Sequence, residues 1–262
     1  MLAVQEKTQT QPNPRRQAHV LGYAVDLEPL NVCIDECIHA IKNGESRHVV
    51  TLNPEMMIYA QQQNDPGYHR ILQQAHWRIP DGVGIIWALQ RQGIHDVSRM
   101  PGIEFSEALI RRAAQDNIPI ALIGGSEEVN QEAVDSLKNK RPDLKIAYHH
   151  HGFFSPQEET DIVEACQASG AQIVFLALGF PRQEFWIKHH QKSFPQATLM
   201  LGVGGSFDIW SGSKKRAPKF FRDLNLEWAY RIGSEPWRLQ RVYKTLPEYL
   251  VKAVLLNHNR PE

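Results

Sequence analysis

The sequence has few cysteines, which limits the frameworks and sites that it could build. Only Cys33, Cys37 and Cys166 are present among its 262 residues, and they match neither a disulfide framework nor the spacing of a zinc site. Cys33 and Cys37 lie one helical turn apart, so we predict that both pack as small apolar side chains. The cysteine content therefore favours a reducing compartment.

The sequence also lacks a run of about 20 apolar residues, the length that a membrane-spanning helix requires. Residues 1–18 are rich in Gln, Thr and Pro. They do not resemble a signal peptide and are predicted to form a disordered leader. These absences favour a protein that is soluble, or that contacts a membrane only peripherally at its cytoplasmic face.

Two catalytic signatures are missing as well. No predicted strand-to-helix turn carries a complete Gly-x-Gly-x-x-Gly dinucleotide fingerprint, and the chain has no Gly-x-Ser-x-Gly nucleophile elbow. The first motif places a dinucleotide, and the second a serine nucleophile, at the start of a helix. Their absence argues against a dehydrogenase and against a hydrolase built on an α/β sheet.

The charge is balanced overall but unevenly distributed. Residues 211–262 contain 11 Lys/Arg against 5 Asp/Glu, whereas residues 1–210 contain 18 against 24. Trp and Tyr are interleaved with the C-terminal cations, a pattern that favours a phosphate-rich partner such as an anionic membrane surface. The alternative is a helical hairpin that packs on the body with a solvated basic face. Nucleic acid is not an expected partner, because no recognition module is visible.

Apolar segments alternate with helical patterns through most of the chain. This alternation predicts an α/β fold, with a Rossmann-like, mostly parallel sheet and helices on both faces over residues 19–210. A basic, aromatic helical appendage is predicted over residues 211–262. The predicted strands cover residues 19–25, 47–52, 76–80, 119–123, 144–148, 171–178 and 197–203.

Small or polar residues follow four of the predicted strands. They are Thr51 and Asn53, then Asp81, then Gln183 and Glu184, then Gly204 to Asp208. Because the carboxyl ends of parallel strands share one edge of a sheet, where ligands of open α/β sheets bind, these residues predict a polar pocket. Asn53 and Asp81 also suit simple capping of the helices that follow them, and capping and ligand contact can coexist.

These pieces, in this order and spacing, resemble the WecG/TagA/CpsF glycosyltransferase family over roughly residues 20–256. The motifs that carry the resemblance in the body are Thr51-Leu52-Asn53-Pro54-Glu55, Pro80-Asp81-Gly82-Val83-Gly84, Gly179-Phe180-Pro181-Arg182-Gln183-Glu184 and Gly202-Val203-Gly204-Gly205-Ser206-Phe207-Asp208. In the tail they are Arg216-Ala217-Pro218, Glu227-Trp228, Tyr230-Arg231 and Glu235-Pro236. Each motif is short, but their joint order is specific.

The resemblance implies a metal-independent, inverting transfer of a sugar from a UDP-sugar to a polyprenyl-diphosphate-linked acceptor in cell-surface polysaccharide synthesis. In the best-known members the sugar is N-acetylmannosamine or its uronic acid, and the acceptor is undecaprenyl-diphosphate N-acetylglucosamine. No cofactor is implied, and the chain has no Asp-x-Asp triplet. The expected location is the inner face of the cytoplasmic membrane, with a homo-oligomer left open. The donor sugar also stays open, since epimers differ by one hydroxyl group.

Carried over by position, the resemblance assigns roles to individual residues. Asp81 is the expected general base. The expected substrate contacts are Thr51, Asn53, Arg99 (to a phosphate), Gln183, Gly204 and Asp208. The basic tail itself supplies Arg231, Arg238 and Arg241 as candidates to stabilise the leaving diphosphate, and their spacing lets them share one helical face in part. The chain departs from the family pattern at Glu104, where the usual residue is Asp, so the role of this position stays open. The alternative is a catalytically silent nucleotide-binding or scaffold protein of the same fold.

Overall fold

The computed structural model describes residues 15–62, 66–194, 198–236 and 238–256, without the side chains of residues 238, 241 and 256. The strands in these ranges are β1 Gln17–Val20, β2 Tyr23–Asp26, β3 Arg47–Leu52, β4 Trp77–Pro80, β5 Ile120–Gly124, β6 Ile146–His150, β7 Ile173–Ala177 and β8 Leu199–Gly202. The helices are α1 Leu30–Lys42, α2 Pro54–Gln62, α3 Pro66–Gln74, α4 Val83–Arg91, α5 Gly102–Gln115, α6 Glu127–Lys140, α7 Pro156–Ala168, α8 Arg182–His190, α9 Ser206–Ser211, α10 Lys219–Asp223, α11 Glu227–Ser234 and α12 Arg238–Leu256.

Strands β3 to β8 form one parallel sheet in the order β4-β3-β8-β7-β5-β6. Leu52 of β3 pairs with Pro80 of β4, and Leu176 of β7 pairs with Gly202 of β8. The carboxyl ends of these strands therefore lie along one edge of the sheet. The order makes β3 the neighbour of both β4 and β8, although the three strands are far apart in the sequence.

Alternating side chains of the strands bury both faces of this sheet. Phe175 packs in a core with residues of α1 and α5, whereas its neighbours Val174 and Leu176 pack on the opposite face with α7 and α8. This is the period of two that a strand imposes on its side chains. A further core under α2, α3 and α4 includes the β1–β2 hairpin. The predicted α/β fold with helices on both faces of a parallel sheet is confirmed.

Local sequence signals explain where several helices begin. The Ser126 hydroxyl accepts a hydrogen bond from Val129 N at 3.2 Å at the start of α6. Ser155 and Glu158 form a reciprocal capping box at the start of α7, with Pro at the first helical position. These contacts satisfy N–H groups that have no partner within the helix.

One predicted strand is wrong in form. The segment predicted as a single strand over residues 19–25 is an antiparallel pair in which Gln17 lies opposite Asp26. Leu21 (φ 50°) and Gly22 (φ 84°) form the tight turn between the strands. A two-residue hairpin turn takes positive φ angles, and Leu is an unusual residue for them. Strand β1 also begins inside the predicted leader of residues 1–18, so residues 17 and 18 belong to the hairpin of β1 and β2. Residues 1–14 lie outside the described residues.

The predicted C-terminal appendage contains α10, α11 and α12, and its last helix packs on the body. Tyr249 of α12 is fully buried and donates its hydroxyl to Gly84 O at 2.9 Å. The residues Glu235 and Pro236 separate α11 from α12. Arg231 is therefore on a different helix from Arg238 and Arg241, which corrects the expectation that the three partly share one helical face. Among the described residues, no helix has the length and apolar character to span a bilayer.

Candidate active site

Asp81, Thr51 and Gly102 meet at the carboxyl edge of β3 and β4. Asp81 N donates to Leu52 O at 3.0 Å, which fixes the backbone of Asp81 beside the end of β3. A Cβ atom on Gly102 would lie 3.0 Å from Thr51 Cγ2 and 3.4 Å from Asp81 Oδ2. Gly102 therefore lets the first turn of α5 approach the carboxylate closely. The predicted neighbourhood of Thr51 and Asp81 is present, and Gly102 is an addition to it.

The electrostatic environment of Asp81 suits a proton acceptor. Burial raises its pKa to about 6, against the opposing effects of a hydrogen bond from the Gly102 backbone and of the positive charges of Arg99 and Arg231. The negative charge of Glu227 raises it further. A carboxylate with a pKa just below neutral is still ionised at pH 7 and holds a proton more strongly than an exposed one. Asp81 is partly exposed, so a ligand can reach it.

Asn53 supports the same edge through a helix cap. Its Oδ1 accepts a hydrogen bond from Met56 N at 3.1 Å, as the capping alternative proposed. The cap uses only the carbonyl oxygen, so the amide N–H groups remain able to donate to a ligand. A Cβ atom on Gly82 would lie 2.7 Å from Pro54 Cδ. The loops that carry Asn53 and Asp81 are thus packed directly on each other.

Gln183 holds the loop that follows β8. Its Oε1 accepts a hydrogen bond from Gly204 N at 3.1 Å, and its Nε2 donates to Glu184 Oε1 at 2.7 Å. A Cβ atom on Gly202 would lie 2.2 Å from Gln183 Nε2, so any side chain at position 202 would displace Gln183. Gln183 is 4% exposed. It therefore supports the Gly204 loop from behind, and its contact with a substrate stays a prediction.

A chain of ion pairs joins the body to the appendage next to Asp81. Arg99 Nη2 lies 3.3 Å from Glu227 Oε2, and Arg216 Nε lies 3.6 Å from Glu227 Oε1. Arg216 Nη2 lies 2.5 Å from Glu104 Oε1. Glu104, whose role the sequence left open, thus binds a cation of the appendage. These ion pairs hold α11, which carries Arg231, at the carboxyl edge of the sheet.

A basic cavity of about 220 Å³ lies between α9 and α11. Its lining includes Gly205, Asp208, Lys214, Lys215, Arg216 and Arg231. Asp208 Oδ2 lies 3.1 Å from Lys214 Nζ, which also lies 2.7 Å from Glu235. Asp208 therefore orients a lysine at this cavity. Lys215 and Arg231 have no acidic partner among the described residues, so their charges are available to an anion.

Most predicted site residues converge, and a few additions were not foreseen. Thr51, Asn53, Asp81, Arg99, Gly204 and Arg231 lie at or beside the carboxyl edge, Gln183 lies behind it, and Asp208 lines the basic cavity. The side chains of Arg238 and Arg241 lie outside the described residues. The sequence does not reveal the role of Glu227, which belongs to one of the family motifs, because no local pattern shows that an acid will pair with a remote arginine. Within the described ranges, no group of three or more His, Cys, Asp or Glu could hold a metal ion, and metal independence stays a prediction.

Comparison with known proteins identifies the family to which this sequence belongs. Residues 18–261 match the model of a family described as "Glycosyl transferase WecG/TagA/CpsF family". Two relatives, from Staphylococcus aureus strains MW2 and NCTC 8325 / PS 47, are each 35% identical over 204 residues, which is 78% of either chain. Both are named N-acetylglucosaminyldiphosphoundecaprenol N-acetyl-beta-D-mannosaminyltransferase. Because the family model matches nearly the whole sequence, this chain belongs to the WecG/TagA/CpsF family of glycosyltransferases.

Proposed function

We propose that this protein transfers a sugar, with inversion, from a UDP-sugar to a sugar linked to a polyprenyl diphosphate. The observation that carries the proposal is the setting of Asp81. It is a partly exposed carboxylate of raised pKa at the carboxyl edge of the sheet, flanked by the positive charges of Arg99 and Arg231. Inversion needs one base on the side of the attacking hydroxyl group, and a leaving group stabilised on the opposite side.

Asp81 acts as the base in this mechanism. Its carboxylate takes the proton of the acceptor hydroxyl group while that oxygen forms a bond to the anomeric carbon of the donor. The bond from the anomeric carbon to the UDP oxygen breaks at the same time, and UDP leaves with the bonding electrons. A general base in such a step contributes roughly 10²–10⁴-fold to the rate.

The cations of the basic cavity stabilise the departing diphosphate. Lys215 and Arg231 line the cavity without an acidic partner among the described residues, and Lys214 and Arg216 are held there by ion pairs. Arginine and lysine side chains can neutralise charge that develops on a leaving phosphate. Protein cations therefore take the part that a divalent metal plays in other transferases, and no metal is required.

The appendage supplies a surface for a membrane, because its exposed side chains are apolar as well as basic. Leu239, Tyr243, Val251 and Leu255 of α12 are 55%, 78%, 57% and 65% exposed. Val251 and Leu255 lie on the face of α12 opposite Tyr249 and Ala253, which are buried. An amphipathic helix of this kind can lie in the headgroup region of a bilayer without crossing it. We place the protein at the inner face of the cytoplasmic membrane, where a lipid-linked acceptor is within reach.

The test is a screen of donors with a lipid-linked acceptor. We expect the full chain to release UDP from UDP-N-acetylmannosamine, the sugar named in the staphylococcal relatives, when N-acetylglucosaminyl-diphosphoundecaprenol is present. UDP-N-acetylglucosamine and UDP-glucose serve as matched donors, since they differ in configuration or substituent at C2. Binding of UDP without acceptor-dependent release from any donor would favour the catalytically silent alternative.

A further inference from the structure

A second groove is lined by Arg99, which Glu227 links to Arg216 of the basic cavity. It has a volume of about 630 Å³ and lies between α4, the loop before α5, and α10. Its volume falls within the range of ligand sites in proteins. No role has been assigned so far to its walls, apart from Arg99 and Glu104, which also belong to the candidate active site.

The two walls of this groove differ in chemistry. One wall is apolar and contains Val83, Ile86 and Trp87 of α4, whose spacing places them on one face of the helix. The opposite wall is charged and contains Lys219, Arg222 and Asp223 of α10, with cations in excess. A ligand that satisfies both walls has an anionic group and an apolar chain.

The charges of the groove leave one guanidinium group available. Lys219 pairs with Asp223, Arg99 with Glu227, and Glu104 with Arg216. The Arg222 Nε atom, by contrast, is buried and has no hydrogen-bond partner among the described residues. A buried donor without a partner costs free energy that an anionic ligand would recover.

One end of the groove lies beside the active site, because Arg99 lines the groove and its charge acts on Asp81. Phe220 belongs to α10 and Leu224 directly follows it, and these side chains are 68% and 52% exposed. The α10 segment therefore presents exposed apolar side chains as well as the cations of the groove.

We infer that this groove holds the diphosphate and the first isoprene units of the acceptor lipid. The diphosphate contacts Arg222, Lys219 and Arg99, and the isoprene units lie on Val83, Ile86 and Trp87. The acceptor sugar then extends past Arg99 to Asp81, while the basic cavity remains free for the diphosphate of the donor. This inference rests on the proposed function, because it names the binding site for the acceptor of that reaction.

Binding of farnesyl diphosphate to the full chain tests the groove without catalysis. In equilibrium dialysis we expect Arg222→Gln to weaken binding by about tenfold, as for loss of a charge-assisted hydrogen bond. Gln90→Trp, which places a large side chain at an exposed position of the groove, should weaken farnesyl diphosphate more than inorganic diphosphate. Neither change should alter the affinity for UDP. The matched controls are Lys145→Gln and Gln131→Trp at exposed positions far from the groove, and both should bind like the parent protein.

Two results would overturn the inference. One is unchanged binding of farnesyl diphosphate in both Arg222→Gln and Gln90→Trp. The other is competition between UDP and farnesyl diphosphate, which would assign the groove to the nucleotide. Kinetics separate this failure from that of the proposed function. If the protein transfers sugar and Arg222→Gln has the same KM for the acceptor as the parent protein, the inference about the groove is wrong and the proposed function stands. If the protein transfers no sugar but binds farnesyl diphosphate through Arg222, the proposed function is wrong and the inference about the groove stands.

Discussion

Glu227 of α11 lies 3.3 Å from Arg99, which precedes it by 128 residues in the sequence. Glu227 is 7% exposed and also faces Arg216. This one carboxylate ties the appendage to the loop beside Asp81, and through its charge it raises the pKa of Asp81. The appendage therefore acts on the chemistry of the body as well as packing against it.

We predict that Glu227→Gln shifts the acid limb of the kcat/KM profile to lower pH, by roughly 0.5–1 unit. The change removes a negative charge near Asp81 and releases Arg99 from its partner, so both effects favour the ionised carboxylate. The measurement is the rate of UDP release between pH 4.5 and 8. The same change at Glu128, an exposed residue of α6, should leave the limb in place. An acid limb of Glu227→Gln that stays at the same pH, or that moves to higher pH, would contradict the prediction.

Asp81→Asn should lower kcat by roughly 10²–10⁴-fold, the usual contribution of a general base. The amide has nearly the shape of the carboxylate but cannot accept the proton. UDP affinity and the cooperativity of thermal unfolding should be retained, as they should in the exposed control Asp143→Asn. Turnover close to that of the parent protein would move the base elsewhere. Glu184 would be the next candidate, since burial raises its pKa to about 7.

The same substitution should stabilise the protein at neutral pH. The folded state raises the pKa of Asp81 from 3.8 to about 6, so the folded protein binds more protons than the unfolded chain between these values. Stability from this group is then greatest below pH about 4 and is lost as the pH rises through 6. Asp81→Asn removes the penalty, which is at most about 3 kcal/mol for a shift of this size. Urea titrations at pH 4 and 8 should show the gain only at pH 8.

Activity should survive the removal of divalent metal. The cations of the basic cavity stabilise the leaving diphosphate in our proposal, so EDTA in the assay should leave the rate unchanged within about twofold. Loss of activity that Mg²⁺ or Mn²⁺ restores would contradict it. Arg231→Gln offers a second measurement, because loss of one charge-assisted contact to phosphate should cost about 1.5–3 kcal/mol of transition-state stabilisation.

Charges on the exposed face of α12 should prevent membrane binding. The pair Val251→Glu with Leu255→Glu replaces two exposed apolar side chains and adds two negative charges near an anionic surface. Each apolar side chain that no longer enters the bilayer removes at most about 1.5–3 kcal/mol of binding free energy. Partitioning into anionic liposomes should therefore fall by more than tenfold. Phe153→Glu, at a 78% exposed position outside the appendage, is the control. Co-sedimentation measures the effect, and equal sedimentation of all variants would remove the membrane from the proposed role of α12.

The structure also explains which sequence predictions failed and why. The hairpin of β1 and β2 was missed because its turn uses Leu21, a buried residue with positive φ that carries no turn signal. The sequence left open whether the appendage packs on the body, and the structure buries Tyr249 of α12 against Gly84. Its position depends on the space over Gly84, where a Cβ atom would lie 3.2 Å from the Tyr249 ring. No pattern within residues 211–262 shows that space.

The sequence by itself determined the features that depend on neighbouring residues. Alternating apolar strands and capped helices predicted the α/β class, and the Asn53-Pro54 and Asp81-Gly82 turns placed polar groups at strand ends, because turn and cap chemistry is local. The tertiary structure alone decided which of these ends meet. The strand order sets β3 between β4 and β8, and burial in that place raises the pKa of Asp81. The pairing of Arg99 with Glu227 was also decided there, since an ion pair depends on distance in space and not on separation along the chain.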